Sequence, residues 1–564
     1  TAQQRVIEFS GTISGNRIIT FPVLTENFYI IKNGTSGAYT VQLKAATGSG
    51  ATVTFSATDK GYKIIYLDGV ATNTGVYDVN SNLTVGDLTV TGAFEALGTI
   101  KLDGDYPTGS NNVALGDTAL DSVQAGGVSN TAIGSVAGTA ITTGDYNVAI
   151  GHEALKTNTT SSCNTSIGSL TLRDNTTGCS NVAVGTNAML VNTEGCNNTA
   201  VGRTALDANL TGDRNVAIGL SALGSNTTAD CNVAVGQSAL GANTTGANNT
   251  AVGHLALLAN TTGCENVAMG CGAMGSTTSG NRSVAIGNKA LSSNTTGVNN
   301  TAVGWCALES STEGLGNTAV GYESLEENTT ADNNSAFGYR ALNFNLTGAD
   351  NTALGTCALK NNTTASYNTA VGMSALLTNT TAVQNTATGW CALALNTTGS
   401  YNSSNSAYAL RSNTTGANNT AIGRASLSLN TTGACNTAVG ASALYGNTTA
   451  ANNTAVGINS LCSNTTGEVN TAIGSSSMVT NTTGFGNTAV GKNSLYTNNG
   501  NNNTAVGHEA LELNTSGDSN VALGRQALEA NTTASANTAV GFESLKANTT
   551  GAENVAVGST AMTS

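Results

Sequence analysis

The sequence predicts an all-β protein: an amino-terminal β-sandwich followed by a long parallel β-solenoid built from 17-residue coils. Three observations carry this. A phrase related to Asn-Thr-Ala-Val-Gly returns at near-constant spacing from Asn112 to Gly558. The residues before it do not repeat, but alternate apolar and polar as strands do. The 564 residues include only two prolines and 9% charged residues, with Asn, Thr, Ser, Ala and Gly in surplus. A 17-residue unit is too short to fold alone, so each copy is read as one coil that buries its apolar face against its neighbours. Counting the glycine that closes each copy, with Ser406 in its place once, gives 27 coils. At about 4.8 Å per coil the stack reaches about 130 Å.

Residues 1–85 contain six strand-like segments: Arg5-Val-Ile-Glu-Phe9, Arg17-Ile-Ile-Thr-Phe21, Asn27-Phe-Tyr-Ile-Ile31, Tyr39-Thr-Val-Gln-Leu43, Thr52-Val-Thr-Phe55 and Tyr62-Lys-Ile-Ile-Tyr66. Asn-Gly, Gly-Ser-Gly and Asp-Gly breaks separate them, which predicts a small antiparallel sandwich. Residues 86–111 read as a neck of short strands, and residues 112–564 as the solenoid of 27 repeats.

The repeat consensus is N-T-A-V-G-x-x-A-L-x-x-N-T-T-G-x-x, numbered from its first Asn. Side chains alternate along a strand, so positions 2 and 4 share a face. Hydrophobicity assigns that face (Thr or Val, then Val, Ile or Leu) to the interior, with the Leu or Met of position 9. The Ala of positions 3 and 8 is then expected outside, as a flat strip against which partner rods pack. The Asn of positions 1 and 12, recurring in line, is expected to form amide ladders. Gly at positions 5 and 15 is expected to supply strained corners.

Composition narrows the function. With 33 acidic and 20 basic residues the formal net charge is −13, and no basic stripe is visible, so nucleic acid is not an expected partner. No apolar run is long enough to span a bilayer, so membrane insertion is not expected either. The eleven cysteines lack zinc spacing. Cys179 and Cys196 share position 16 of successive coils, within reach of a disulfide.

No cofactor, metal or enzymatic activity is expected. His152, His254 and His508 all occupy position 6, in distant coils. His152-Glu153 and His508-Glu509 begin like a zinc-protease motif but lack the second His. Glu323, Glu326 and Glu327 form the one carboxylate cluster that resembles a glycosidase pair, and they read as a charged turn. Position 6 varies most and therefore reads as solvent-facing. Its aromatic occupants, Trp305, Tyr322, Tyr339, Trp390 and Phe542, are the candidate contacts for a surface glycan.

The phrases Asn147-Val-Ala-Ile-Gly151 and Ser283-Val-Ala-Ile-Gly287 resemble the head repeats of trimeric autotransporter adhesins. That resemblance implies a left-handed parallel β-roll wound as a homotrimer that binds host surfaces. The longer phrase Asn-Thr-Ala-Val-Gly-x-x-Ala-Leu-x-x-Asn-Thr-Thr-Gly is similar to repeats in tail fibres of tailed bacteriophages. Phe28-Tyr-Ile-Ile-Lys-Asn-Gly-Thr-Ser-Gly and Tyr62-Lys-Ile-Ile-Tyr-Leu-Asp-Gly resemble β-sandwich modules near the virion end of such fibres. An autotransporter is expected to continue into a stalk and membrane anchor, and neither is legible. The resemblance thus implies a structural tail fibre on the virion, an elongated spacer and host adhesion element. Its implied partners are two further copies of itself, other virion tail proteins through residues 1–85, and a host cell-surface glycan or protein. The alternative is a trimeric adhesin on a bacterial cell surface.

Overall fold

The computed structural model describes residues 6–22, 26–58, 60–69, 76–78 and 109–563. The chain divides into two units, Thr1–Lys101 and Leu102–Ser564. The neck strands expected within residues 86–108 lie outside the described residues. No described helix is long and apolar enough to cross a membrane.

All six strand-like segments of the first unit are strands: β1 (Val6–Thr12), β2 (Arg17–Phe21), β3 (Glu26–Ser36), β4 (Val41–Ala45), β5 (Val53–Phe55) and β6 (Tyr62–Asp68), with β7 (Val76–Asp78) in addition. They form two sheets, in the orders β1-β3-β6-β7 and β2-β4-β5. The pairing is mixed rather than antiparallel, because β1 runs parallel to β3 and β2 parallel to β4. The reason is topological. From β1 to β4 the chain changes sheet at every step, so each strand meets its next-but-one neighbour by a crossover, and a crossover delivers parallel strands. Both sheets contribute to one buried cluster that includes Phe21, Ile31, Leu43, Phe55, Ile65 and Leu67.

The second unit stacks 27 three-residue strands, from β8 (Val113–Leu115) to β34 (Val555–Val557). Each strand pairs in parallel with the one before and the one after, in perfect repeat register, as in Thr199↔Val216 and Val201↔Ile218. No pairing joins the first strand to the last, so the ladder is open-ended. The 18-residue coil keeps the register through Val113↔Thr131 and the 16-residue coil through Thr488↔Thr504, so both length changes are absorbed in the turns.

The coil is inside out relative to the hydrophobicity argument. The Ala of position 3 is fully buried from Ala132 to Ala539, as is the Ala of position 8 where it occurs, and both pack with the Leu or Met of position 9 in one continuous core. Positions 2 and 4 face outward: Ile218, Met269, Ile286, Leu354 and Leu523 are all exposed. So the Ala strip is interior, and the outward column is a Thr/Val face beside a Val/Ile/Leu face. A 17-residue coil is too thin to hold branched side chains from the strand opposite its own amide network, and only a side chain as small as Ala or Ser stands there.

That amide network is the rest of the core. The Asn of positions 1 and 12 is buried in nearly every coil. Asn198 Nδ2 and Asn209 Nδ2 both donate to the Gly212 carbonyl, at 2.8 and 3.0 Å, which closes the coil across its interior. Asn209 Nδ2 also donates to Asn192 Oδ1 of the previous coil at 2.7 Å, and Asn215 N–H donates to Asn198 Oδ1 at 2.8 Å. The expected ladders therefore exist, and they satisfy polar groups that burial would otherwise penalise by about 1–3 kcal/mol each.

Position 5 is glycine for two reasons. Its φ is positive, +138° at Gly202, and a Cβ there would lie 2.7 Å from the carbonyl carbon of Gly219. Position 15 differs from expectation: its glycines do not have positive φ, and Ala occupies the same buried place at Ala229, Ala365 and Ala450. The left-handed corners are instead made by non-glycine residues, including position 9, where Leu206 has φ 54° and Leu257 has φ 52°. A bulky residue in that conformation costs about 1–2 kcal/mol. Full burial of the Leu side chain contributes about 1.5–3 kcal/mol, enough to hold it there.

Candidate recognition surface

Position 6 follows the strained glycine at the edge of the outward strand face, and the structure leaves its large residues exposed. Trp305, Tyr322 and Tyr339 belong to three successive coils, and their rings stack. Centroids are 4.9 Å apart between Trp305 and Tyr322 and 5.3 Å between Tyr322 and Tyr339, with planes within 12° in both pairs. The one-coil rise matches the stacking distance of aromatic rings, so a column of aromatics at one position stacks without further adjustment. The consequence for ligand binding is specific. Both faces of Tyr322 are occupied by its neighbours, so this ring presents its edge outward.

The Glu323 carboxylate lies beside that column and accepts from Arg340 Nε at 2.5 Å. Burial pulls the Glu323 pKa upward, but the hydrogen bonds from Arg340 and Tyr322 outweigh it and leave the group below the usual glutamate range. Glu326 Oε2 accepts from Asn343 Nδ2 at 2.8 Å, and burial pushes its pKa up. The cluster of Glu323, Glu326 and Glu327 is thus split between an Arg partner and an Asn partner.

Trp390 and Phe542 stand apart from the trio and from each other. Trp390 meets Tyr408, a residue at position 7 that the sequence reading did not single out, with centroids 4.7 Å apart and planes tilted by 54°. Phe542 has the Arg525 guanidinium 5.8 Å from its centroid. His508 Nδ1 lies 3.3 Å from Glu509, and His254 Nδ1 lies 3.7 Å from Cys271 Sγ.

Elsewhere, position 7 of one coil meets position 10 of that coil and of the next. Two such meetings gather potential metal ligands within 4.8 Å of one another: Cys306 with Glu309 and Glu326, and Glu509 with Glu512 and Glu529. Each already holds a cation of its own, since Lys289 Nζ lies 3.2 Å from Glu309 and Lys546 Nζ 3.2 Å from Glu529. Burial, followed by the hydrogen bond to Glu309, pushes the Cys306 thiol up to about 12. Cys179 and Cys196 do come together, as free thiols with Sγ atoms 2.9 Å apart. Burial, then the contact with Cys179, raises Cys196 to about 11.

Compared with protein families, curated proteins and solved structures, the chain matches none of them.

Proposed function

We propose that this chain is a structural fibre subunit: a homotrimeric tail fibre of a bacteriophage, in which the solenoid is a spacer and cell-surface adhesion element. The first unit, read as a β-sandwich, attaches it to the virion. The observation that supports this best is the outward strand face. Position 4 is apolar in every coil except those of Thr388 and Asn405, with Ile218, Met269, Ile286, Phe337, Leu354, Ile473 and Leu523 exposed and half-buried Val between them. A monomer in water does not favour an apolar column of this length, broken at only two successive coils. Parallel copies of the same chain share its one-coil rise and can cover the column along its whole length.

Adhesion in this reading falls to position 6, where Trp305, Tyr322, Tyr339, Trp390 and Phe542 are the candidate contacts for a host glycan. Sedimentation of the intact chain should give three times the chain mass, electron microscopy should show rods with a solenoid of about 130 Å, and labelled protein should bind cells. A monomeric species at micromolar concentration removes the trimer, and failure to bind any cell surface removes the adhesion role.

A further inference from the structure

The acidic residues of this chain are unevenly placed. Of the 33, none falls in residues 351–467, which carry Lys360, Arg411 and Arg424. That stretch spans several coils of a protein whose net charge is −13, so it is a basic window in an acidic molecule. Within it lies the one coil that lacks both the apolar residue of position 4 and the glycine of position 5. Its strand Ser403–Asn405 replaces the usual Thr-Ala-Val, and Ser404 stands in the core with its hydroxyl donating to the Ala409 carbonyl at 2.8 Å. Ser406 takes the glycine position at φ 140°. A side chain held in that region costs about 1–3 kcal/mol, and strain of this kind concentrates at functional sites. Thr388 and Asn405 also interrupt the apolar column at position 4 in two successive coils.

The surface above this coil differs from the rest of position 6. Down the column the residues are Met373, Trp390, Ala407 and Arg424, one coil apart and tied by Tyr408 N–H to the Trp390 carbonyl at 2.9 Å and Ala425 N–H to the Ala407 carbonyl at 3.0 Å. Ala407 follows Trp390 in the column and has no ring to stack on it, and the indole is 47% exposed. Tyr408 stands tilted against it, with the Arg411 guanidinium 5.5 Å from the Tyr408 centroid. Arg411 and Arg424 are both exposed, and neither has an acidic partner among the described residues.

We infer that Trp390, Tyr408, Arg411 and Arg424 form a binding site for a carboxylate-bearing saccharide. The indole takes the apolar face of a sugar ring, and the guanidinium groups take its carboxylate, for which their planar donor fork is suited. The absence of acids over residues 351–467 removes the repulsion that an anionic polysaccharide meets along the rest of the solenoid. This rests on the adhesion reading above and gives it a ligand class and a place.

The test is calorimetric titration of the intact chain with an oligogalacturonate and with a neutral malto-oligosaccharide, at low and high salt. It is repeated with Trp390→Ala, with Arg411→Gln combined with Arg424→Gln, and with Leu220→Ala as a control elsewhere on position 6. These residues are exposed, and unchanged circular dichroism confirms that the coils persist. The uronate should bind, salt should weaken it, and affinity should fall at least about tenfold in the first two variants and stay unchanged in the third. Absence of uronate binding, equal binding of the neutral sugar, or binding that survives both variants overturns the site. If the chain still adheres to cells in that case, the adhesion reading stands without this ligand; if it adheres to none, that reading has failed.

Discussion

Asn260 Oδ1 and Asn294 Oδ1 are buried without a hydrogen-bond partner. The cause is one coil further on in each case. Position 12 is Thr277 after Asn260 and Ser311 after Asn294, and neither side chain carries the amide donor that the ladder uses at 2.7 Å between Asn209 and Asn192. Thr277→Asn and Ser311→Asn should each restore that bond and raise stability by about 1–2 kcal/mol, read as a higher denaturation midpoint. Loss of stability would show that these sites are too narrow for an amide. Cys306 allows a second check at this scale. Burial and Glu309 push its thiol up to about 12, so at pH 8 its thiolate is on the order of one part in ten thousand. Iodoacetamide at pH 8 should modify the exposed Cys163, Cys271 and Cys435 and leave Cys306 untouched until the chain is unfolded, with peptide mass spectrometry as the readout.

A coil's interior could not be read from a three-residue strand. Alternation puts Thr199 and Val201 on one face and Ala200 on the other, and hydrophobicity favours the first as interior. The structure reverses this, because the interior must also hold two asparagine amides, the carbonyl they share and the Leu or Met of position 9, and that leaves the strand room for no more than a small side chain. The ladders themselves were legible, because strict recurrence of Asn at positions 1 and 12 places like amides one above another. The left-handed Leu at position 9 was not legible, since nothing in its side chain favours φ near 50°; packing imposes it. The rings of Trp305, Tyr322 and Tyr339 could be placed in one column from their shared position, but Tyr408 falls one residue later and only the fold brings it to Trp390. The coil with Ser406 makes the element-scale prediction. Ser406→Gly should relieve strain at the cost of chain entropy, for a net gain of about 1 kcal/mol. Slower amide exchange confined to the coils around residues 389–423 would show it, and unchanged exchange would mean that the serine sits there without strain.

Over the solenoid as a whole, the proposed trimer rests on the outward column. Ile286 lies on it, 39% exposed and outside the amide-lined core. Ile286→Asp should therefore leave circular dichroism unchanged while lowering the sedimenting mass toward one chain, because it places a charge in each covered face of the assembly. If the variant unfolds instead, the side chain belongs to the core and the column is not an association surface. Strand content alone is a poor guide to the outward side: it finds the hydrophobic residues of positions 2 and 4 but not the direction in which they point.

A coil with Asn at positions 1 and 12 closes on itself, as Asn198 and Asn209 do on the Gly212 carbonyl, and meets like neighbours through contacts that repeat from step to step. A copy duplicated or deleted in frame would therefore enter or leave the stack without any residue needing a new partner. Reach is then a heritable quantity that changes by whole coils, about 4.8 Å at a time. Lineages carrying this solenoid should differ in length by multiples of 17 residues, with Asn at both ladder positions on either side of every junction.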